Sequence, residues 1–395
     1  MSILTKLFAP RTDDRRFPSI PALERAAQGR IPRFAHQYMS GGIGREDGLR
    51  RNVSEFDNVR FVPQYLREYE PADLTTKILG QKYAAPIGPG PIGLTGLMWP
   101  GAPLHSARAA RAHDLPTCLS TYATSSIEDV GAVAGPAMWF QLYPFKDVSI
   151  DEDLLKRFKA VGGEVLLITV DIPGSTRRER DIASGLSLPP AQDWRTYLQA
   201  ALRPRWALNT LRNGTPEFVN MMRYAPEGMD QLSALEFLGG IGAGHIGPER
   251  LRHYREIWDG KIVVKGLLSV EDARIAADCG MDGIVVSNHG GRQLDAAPTA
   301  LEMLPQIRQA VGGQMAILAD GGVRYGSDIL KLLAMGADFV LLGRAMTFAV
   351  SAMGPEGPKH ALHILLEEMK GTLGQLGCED LSDIANYLQN KDIYR

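Results

Sequence analysis

Ala316 to Arg344 reads AILADGGVRYGSDILKLLAMGADFVLLGR. An apolar run from Ala316 to Gly322 closes on Asp320-Gly321-Gly322, a helical stretch from Ser327 to Ala334 stops at Gly336, and a second apolar run, Phe339 to Arg344, closes on Gly343-Arg344. Both runs are continuous rather than alternating, as expected of parallel strands covered on both faces. A helix between two such strands is a right-handed βαβ crossover.

The unit repeats outward. Pro86 to Gly93, Pro116 to Ser120, Met138 to Tyr143, Val165 to Asp171, Ile262 to Gly266 and Gly283 to Asn288 are runs of the same kind. Helical stretches follow them; the one from Ser269 to Ala277 opens on a serine cap and stops at Gly280. Eight strand-helix repeats spaced by roughly 20 to 30 residues predict a (β/α)8 TIM barrel. The fourth gap, Asp171 to Ile262, is far longer and predicts an insertion after strand 4, over about 172–255, placed as a lid on the face where barrel active sites form. Residues 1–85, with helical stretches at Pro21 to Gln28 and Ile31 to Met39, are expected to form an N-terminal helical cap; 86–360 the barrel; and 361–395 a C-terminal helix and tail.

A chain of 395 residues, 45% hydrophobic and 22% charged, can bury a large core. Its net charge of -2 offers no basic excess for nucleic acid. Cys118, Cys279 and Cys378 form no CxxC pair, which suits a reducing, cytoplasmic compartment. The start, Met1 to Pro10, is too short and interrupted to read as a secretory signal, and no apolar window reaches membrane-spanning length. No HExxH or clustered ligand set suggests a metal, and no GxGxxG opens a βαβ unit for a nicotinamide cofactor.

Chemistry gathers at the C-terminal ends of the runs: Gly93, Ser120, Gln141 with Tyr143, Thr169 with Asp171, Lys265, Ser287 with His289, Asp320, and Gly343 with Arg344. Strands often end in polar turn residues, but a His, a Lys, an Asp and a Tyr arriving on one rim is the pattern of a barrel enzyme. In Ser287-Asn288-His289-Gly290-Gly291-Arg292, the two glycines are expected to let a substrate and a flat cofactor approach the backbone, while Arg292 offers a planar fork to a carboxylate. Asp320-Gly321-Gly322-Val323-Arg324, with Gly343-Arg344, reads as a phosphate handle at strands 7 and 8. Asp171 is placed to hold a protonated imidazole and Arg178 to meet a substrate anion, although the insertion's arginines also fit a solvated loop.

Ser287-Asn288-His289-Gly290-Gly291-Arg292-Gln293-Leu294-Asp295, Trp139-Phe140-Gln141-Leu142-Tyr143, Thr169-Val170-Asp171 and Asp320-Gly321-Gly322-Val323-Arg324 together resemble the FMN-dependent L-2-hydroxy acid oxidase and dehydrogenase family, from about Ile20 to Leu388. The resemblance implies FMN on the rim, its phosphate on Gly322, Arg324, Gly343 and Arg344, with Asp320 and Gly321 in the same loop. It sets the ring against Pro91, Ile92 and Gly93, with Ser120, Gln141, Thr169 and Ser287 at its edges and Lys265 beside N1 and O2. It makes His289 the base, Asp171 its charge partner, Tyr38, Arg178 and Arg292 the carboxylate clamp, and Tyr143 the contact to the 2-hydroxyl. It also implies a homotetramer.

Gly93, where many oxidases of the family carry Ala, looks like the lactate and mandelate dehydrogenase branches and lactate monooxygenase, which leans away from a simple oxidase, and Arg203-Pro204-Arg205-Trp206-Ala207-Leu208 is similar to segments of bacterial membrane-associated dehydrogenases, which pass electrons to quinone. From Trp194 to Arg223, Arg195, Arg203, Arg205, Arg212 and Arg223 face Glu217 alone. That basic, partly apolar segment suits peripheral contact with the inner face of a membrane, or a soluble lid. Gly239-Gly240-Ile241-Gly242-Ala243-Gly244 reads as a flexible end to the lid. The competing readings are an oxygen-using oxidase or monooxygenase, an FMN-dependent isopentenyl diphosphate isomerase, and an inactive scaffold; the His289, Arg292, Asp171 and Arg178 set argues against the last two.

Overall fold

The computed structural model describes residues 12–174, 176–186, 194–227, 229, 237 and 240–389. The readings placed on Met1 to Pro10, on Gly239 and on the end of the C-terminal tail lie outside the described residues.

All eight predicted strands form: β1 Ile87–Pro89, β2 Thr117–Ser120, β3 Met138–Leu142, β4 Val165–Thr169, β5 Lys261–Leu267, β6 Gly283–Val286, β7 Ala316–Asp320 and β8 Phe339–Leu342. Each pairs in parallel with its successor from β2 to β8, and β8 pairs with β1. β1 and β2 run side by side where the ring closes: a Cβ on Gly88 would lie 2.6 Å from the Pro116 carbonyl. The fold is a (β/α)8 barrel.

Alternate strand residues fill the interior: Cys118, Trp139, Val165, Leu167, Val263, Val285, Leu318, Phe339 and Leu341 share one buried cluster. Ile78 and Tyr83 join it from a short antiparallel hairpin, Thr76–Ile78 with Gln81–Tyr83. The Tyr83 hydroxyl accepts from Trp139 Nε1 at 3.1 Å, so the hairpin plugs the barrel from below. Residues pointing the other way, such as Phe140, Ile168, Ile284 and Val340, meet the helices in the larger core.

The helices α1 Ala102–Arg111, α2 Ile127–Ala134, α3 Val148–Ala160, α4 Pro248–Ile257, α5 Val270–Asp278, α6 Ala300–Val311, α7 Gly326–Ala334 and α8 Arg344–Met353 alternate with the strands. Ser269 caps α5 as its sequence predicts, accepting from Glu271 N and Asp272 N. At the start of α7 the Asp328 carboxylate accepts from Arg324 N and Tyr325 N, both at 2.9 Å.

Ahead of the barrel, helices Ile20–Arg30, Arg33–Ser40 and Asp47–Ser54 lie over the rim formed by the loops after β6, β7 and β8. The insertion after β4 carries helices Glu179–Ala183, Trp194–Ala201 and Pro204–Asn213 before α4. It is bolted down at several points. Trp206 is buried and donates from Nε1 to Leu97 O at 2.9 Å, and the Asn220 side chain accepts from Ile127 N and donates to Ser125 O. The glycine-rich stretch expected to be flexible is paired instead: Lys146 N donates to Ile241 O and Ala243 N to Pro144 O, both at 2.9 Å. A Cβ at Gly240 or Gly242 would meet open space, so it is the backbone pairing that fixes this stretch.

Candidate active site

β4, β5, β6 and β7 end side by side, and their last residues make one polar network. Lys265 Nζ lies 2.9 Å from Asp320 Oδ2 and donates to Ser287 Oγ at 3.1 Å. Ser287 Oγ donates to Asp320 Oδ1 at 2.5 Å and accepts from His289 N at 3.0 Å. Burial alone would lower the Lys265 ammonium, but Asp320 and Asp171 outweigh it and hold its pKa above the ordinary value. A fixed positive charge therefore sits on the cavity wall.

His289 follows β6 in the left-handed region, φ 55°. Its Nδ1 is 2.9 Å from Asp171 Oδ1 and 3.1 Å from Oδ2. With Nδ1 donating, the neutral ring carries its lone pair on Nε2, which is 3.5 Å from the Tyr143 hydroxyl. Burial pushes the Asp171 carboxyl up, yet His289 and Lys265 together hold it below the usual carboxylate range. Room for Asp171 comes from an irregularity in β5. Gly266, at φ 105°, would bring a Cβ within 2.4 Å of Asp171 Cγ.

The proposed clamp residues meet across the same cavity. Arg292 Nη1 donates to Tyr38 O at 2.7 Å and Gly41 O at 3.0 Å, and its guanidinium stacks 4.8 Å from the Tyr38 ring centroid. Arg178 precedes the helix Glu179–Ala183; its Nε is buried without a hydrogen-bond partner, and burial and Arg292 depress its pKa. Burial and Asp171 push the Tyr143 phenol well above its ordinary range, so it stays protonated and can donate.

These groups line one cavity of about 450 Å³. Pro91, Ile92 and Gly93 from the β1 loop lie on it, as do Thr169, Lys265 and Asp320. So do Gly321, Gly322, Arg324, Gly343 and Arg344. Asp171, Ser120, Gln141 and Ser287 lie just beneath the lining. Buried Gln141 accepts from Ser120 Oγ at 2.9 Å on its oxygen, while its Nε2 and the Thr169 hydroxyl have no partner. Unsatisfied buried groups are costly, and a flat ring with polar edges would satisfy both. At the other end Arg324 and Arg344 face each other; burial, then Arg292 and Arg324, push the Arg344 guanidinium down from its ordinary value. Such a cationic cluster, beside the α8 N-terminus and a glycine at 343 whose Cβ would meet open space, fits a phosphate. The donor set thus matches FMN from ring to phosphate.

The glycines after His289, read as room for a substrate and a cofactor, also answer to contacts within the protein, with the cap and with Arg344. A Cβ on Gly291 would lie 2.6 Å from Leu49 N, one on Gly290 2.7 Å from Arg344 Nη1, and both residues have positive φ. Gly322 likewise makes way for the cap: its Cβ would come within 1.7 Å of Asn52 O. Nor is either arginine of the phosphate end wholly free. Arg324 Nε lies 3.3 Å from Glu24 Oε2, and Arg344 donates to Met39 O, Gly290 O and Gly41 O.

Other residues had no signal strong enough to single them out. Buried Asn52 and Asn288 exchange side-chain amide hydrogen bonds at 2.8 and 2.9 Å, locking the cap to the loop that carries His289. Asp295 accepts from Arg45 N and Gly48 N, tethering the helix Asp47–Ser54. Tyr122 packs on Tyr143 and on Phe218 of the insertion, with ring centroids 5.3 and 5.2 Å apart, and extends the cavity wall outward in apolar groups.

Comparison with known proteins agrees with this geometry. The model of the FMN-dependent dehydrogenase family matches residues 27–391. The L-lactate dehydrogenase of Xanthomonas axonopodis pv. citri (strain 306) is 40% identical over 366 residues, covering 91% of this chain and 93% of that protein. The L-lactate dehydrogenase of Xanthobacter autotrophicus (strain ATCC BAA-1158 / Py2) is 39% identical over 371 residues, covering 94% and 95%. Among solved structures, the monotopic membrane protein (S)-mandelate dehydrogenase superposes with a TM-score of 0.90 at 35% identity, covering 94% of this chain and 99% of that one. A mandelate oxidase gives 0.78 at 33%, covering 94% and 98%. The chain belongs to the FMN-dependent dehydrogenase family, and it is an enzyme whose cofactor is FMN. No helix among the described residues is long and apolar enough to cross a membrane.

Proposed function

We propose that this enzyme oxidises a small L-2-hydroxy acid, lactate-like or mandelate-like, to the 2-keto acid. The observation that carries the reading is the His289–Asp171 pair, 2.9 Å apart, with Tyr143 3.5 Å from the far ring nitrogen and two arginines in the same cavity. Arg178 and Arg292 with Tyr38 bind the carboxylate, and Tyr143 orients the 2-hydroxyl. His289 takes at Nε2 the proton that the oxidation releases. Asp171 stabilises the imidazolium that results, lowering the barrier where charge develops. FMN, when bound, supplies the acceptor for the electron pair leaving the substrate carbon. Pro91, Ile92 and Gly93 would carry its ring, Ser120, Gln141, Thr169 and Ser287 its edges, Lys265 the N1 and O2 side, and Asp320, Gly321, Gly322, Arg324, Gly343 and Arg344 its ribityl phosphate. Lys265 would place a positive charge beside the bound ring, which would raise the ring's electron affinity.

The names of the relatives support both halves of the substrate reading. Gly93 supports a dehydrogenase over a simple oxidase, and the likeness of Arg203 to Leu208 to membrane-associated dehydrogenases supports a quinone as the electron acceptor. Peripheral membrane contact rests on the insertion, where Trp194, Tyr197, Leu202, Leu208 and Leu211 are exposed among arginines, as amphipathic interfacial helices require. A homotetramer is the assembly expected from the resemblance.

The test is anaerobic addition of L-lactate and L-mandelate to the yellow holoenzyme. Bleaching of the flavin by either supports the reading. If neither these nor a wider set of L-2-hydroxy acids bleaches it, the reading fails. Mixing the reduced enzyme with a quinone analogue and with dioxygen then separates dehydrogenase from oxidase.

A further inference from the structure

Arg180 is absent from the cavity lining, yet more of its donors are engaged than those of any clamp residue. It lies on the short helix Glu179–Ala183 of the insertion and reaches across to the cap. Nη2 donates to Ser40 Oγ at 2.9 Å, Nη1 lies 3.1 and 3.2 Å from the two Glu46 carboxylate oxygens, and Nε donates to Gln37 Oε1. Gln37 and Ser40 bracket Tyr38 on one turn of helix, and Arg178 is two residues before Arg180 in the chain. Glu46 is fixed in turn, its Oε1 accepting from Gly42 N at 2.9 Å. Among the described residues Arg178 itself has no comparable tether: its charge partner, Asp181, is 3.9 Å away on the same turn.

We propose that Arg180 is a positioning residue, a latch that ties the insertion to the cap and so holds Arg178 and Tyr38 on facing sides of one carboxylate. This rests on the reading of Arg178 and Tyr38 as the clamp. The insertion and the cap are separate segments joined to the barrel at different strands, and near Arg178 the helix Glu179–Ala183 packs on the cap helix Arg33–Ser40 with Arg180 at that contact. Among the described residues, the cap and insertion also share the hydrogen bond from Phe34 N to Gln199 Oε1 and the edge contact of Phe34 with Trp206, both toward the other end of the same cap helix. With the latch open, the clamp loses its register while His289, Asp171 and the polar network behind them stay in place. A misplacement of that kind costs orientation rather than chemistry.

The experiment uses the FMN-loaded enzyme and its Arg180→Met, Arg180→Lys, Glu46→Gln and Arg178→Met variants. The readouts are kcat/KM for L-mandelate and for its methyl ester, which lacks the carboxylate, and the Kd of oxalate from its perturbation of the flavin spectrum. The latch predicts that Arg180→Met weakens oxalate binding and lowers the acid-to-ester ratio by about tenfold or more, with ester turnover little changed. Glu46→Gln, which keeps the acceptor for Gly42 N but drops the charge, and Arg180→Lys should fall between. Equal losses on acid and ester would mark general damage and overturn the proposal. So would an unchanged ratio in Arg180→Met when Arg178→Met collapses it. If Arg178→Met itself leaves the ratio intact, it is the clamp reading that fails. Should Arg180→Met not fold, Glu46→Gln carries the test with the same outcomes.

Discussion

Replacing Asp171 by Asn isolates the electrostatic part of the proposed mechanism. Asn keeps the volume and an oxygen that can accept from His289 Nδ1, so the ring stays oriented at the 2.9 Å contact. What disappears is a negative charge opposite the positive charge formed on the ring during proton transfer. For charge centres about 4 Å apart at an effective dielectric near 20, that attraction is roughly 4 kcal/mol. Lys265, which also faces Asp171, already neutralises part of the carboxylate's charge, so the loss is smaller than that figure. A net effect of about 3 kcal/mol corresponds to roughly a hundredfold slower reaction. The assay is anaerobic stopped-flow bleaching of the flavin at saturating L-2-hydroxy acid, with FMN content measured on the same sample. A rate within about threefold of wild type would refute the charge argument, because the transition state would then gain too little from the carboxylate. Stability gives a second readout. The folded state holds the Asp171 carboxyl below its ordinary range, so its contribution is complete above the unfolded value near ~3.9 and vanishes as pH falls through the lower folded value. Asp171→Asn should therefore lie below wild type in a melting curve at neutral pH and converge with it once the pH falls below the lowered folded-state value.

His289→Ala should retain FMN by absorbance yet show no substrate bleaching; unchanged reduction would remove it as the base. Gly291→Ala should lose roughly 3 kcal/mol in denaturant unfolding, since it adds a clash with Leu49 N to a positive φ. Gly135→Ala, with positive φ and open space, should lose only about 1 kcal/mol, and equal losses would discredit the clash. Asn52→Ala should cost about 1 to 3 kcal/mol because the Asn288 amide left behind is buried, while a neutral change would mean that the pair contributes nothing to cap docking. Leu208→Gln with Leu211→Gln should release the enzyme from anionic lipid vesicles in a sedimentation assay; undiminished binding would move the membrane surface elsewhere on the molecule.

The barrel was legible because its signal is local: eight continuous apolar runs, each closed by a turn, appear as strands, seven of them within a residue or two of their predicted ends and the first, Ile87–Pro89, stopping four residues before Gly93. The rim residues were legible for the same reason, since Lys265, Ser287, His289 and Asp320 end their own strands. What the linear pattern could not reveal is contact between segments far apart in the chain. Asn52 and Asn288 are 236 residues apart and pair only because the cap folds back, and an asparagine in a helix carries no mark of that. Arg180 was visible as one of several arginines near Asp171, indistinguishable from a solvated charge until Gln37, Ser40 and Glu46 came beside it. The glycines after His289 were read from their neighbours in sequence, whereas their neighbours in space decide why they are glycine.

That distinction bears on how the clamp is aimed. The helix Arg33–Ser40 ends over the cavity, and its last carbonyls lack intrahelical partners and carry the negative end of the helix dipole. Arg292 donates from Nη1 to Tyr38 O and Gly41 O; Arg344 donates to Met39 O and again to Gly41 O. The helix end therefore gathers two guanidinium groups that would otherwise repel each other across the site. Arg292 commits both Nη1 hydrogens to the cap, which leaves its Nε and Nη2 edge without a protein acceptor among the described residues. Those two parallel N–H groups are the geometry a carboxylate accepts in bidentate fashion. On the proposed clamp, satisfying the helix terminus and preparing the anion site are one arrangement, and the cap belongs to the proposed active site as much as the strand that precedes His289.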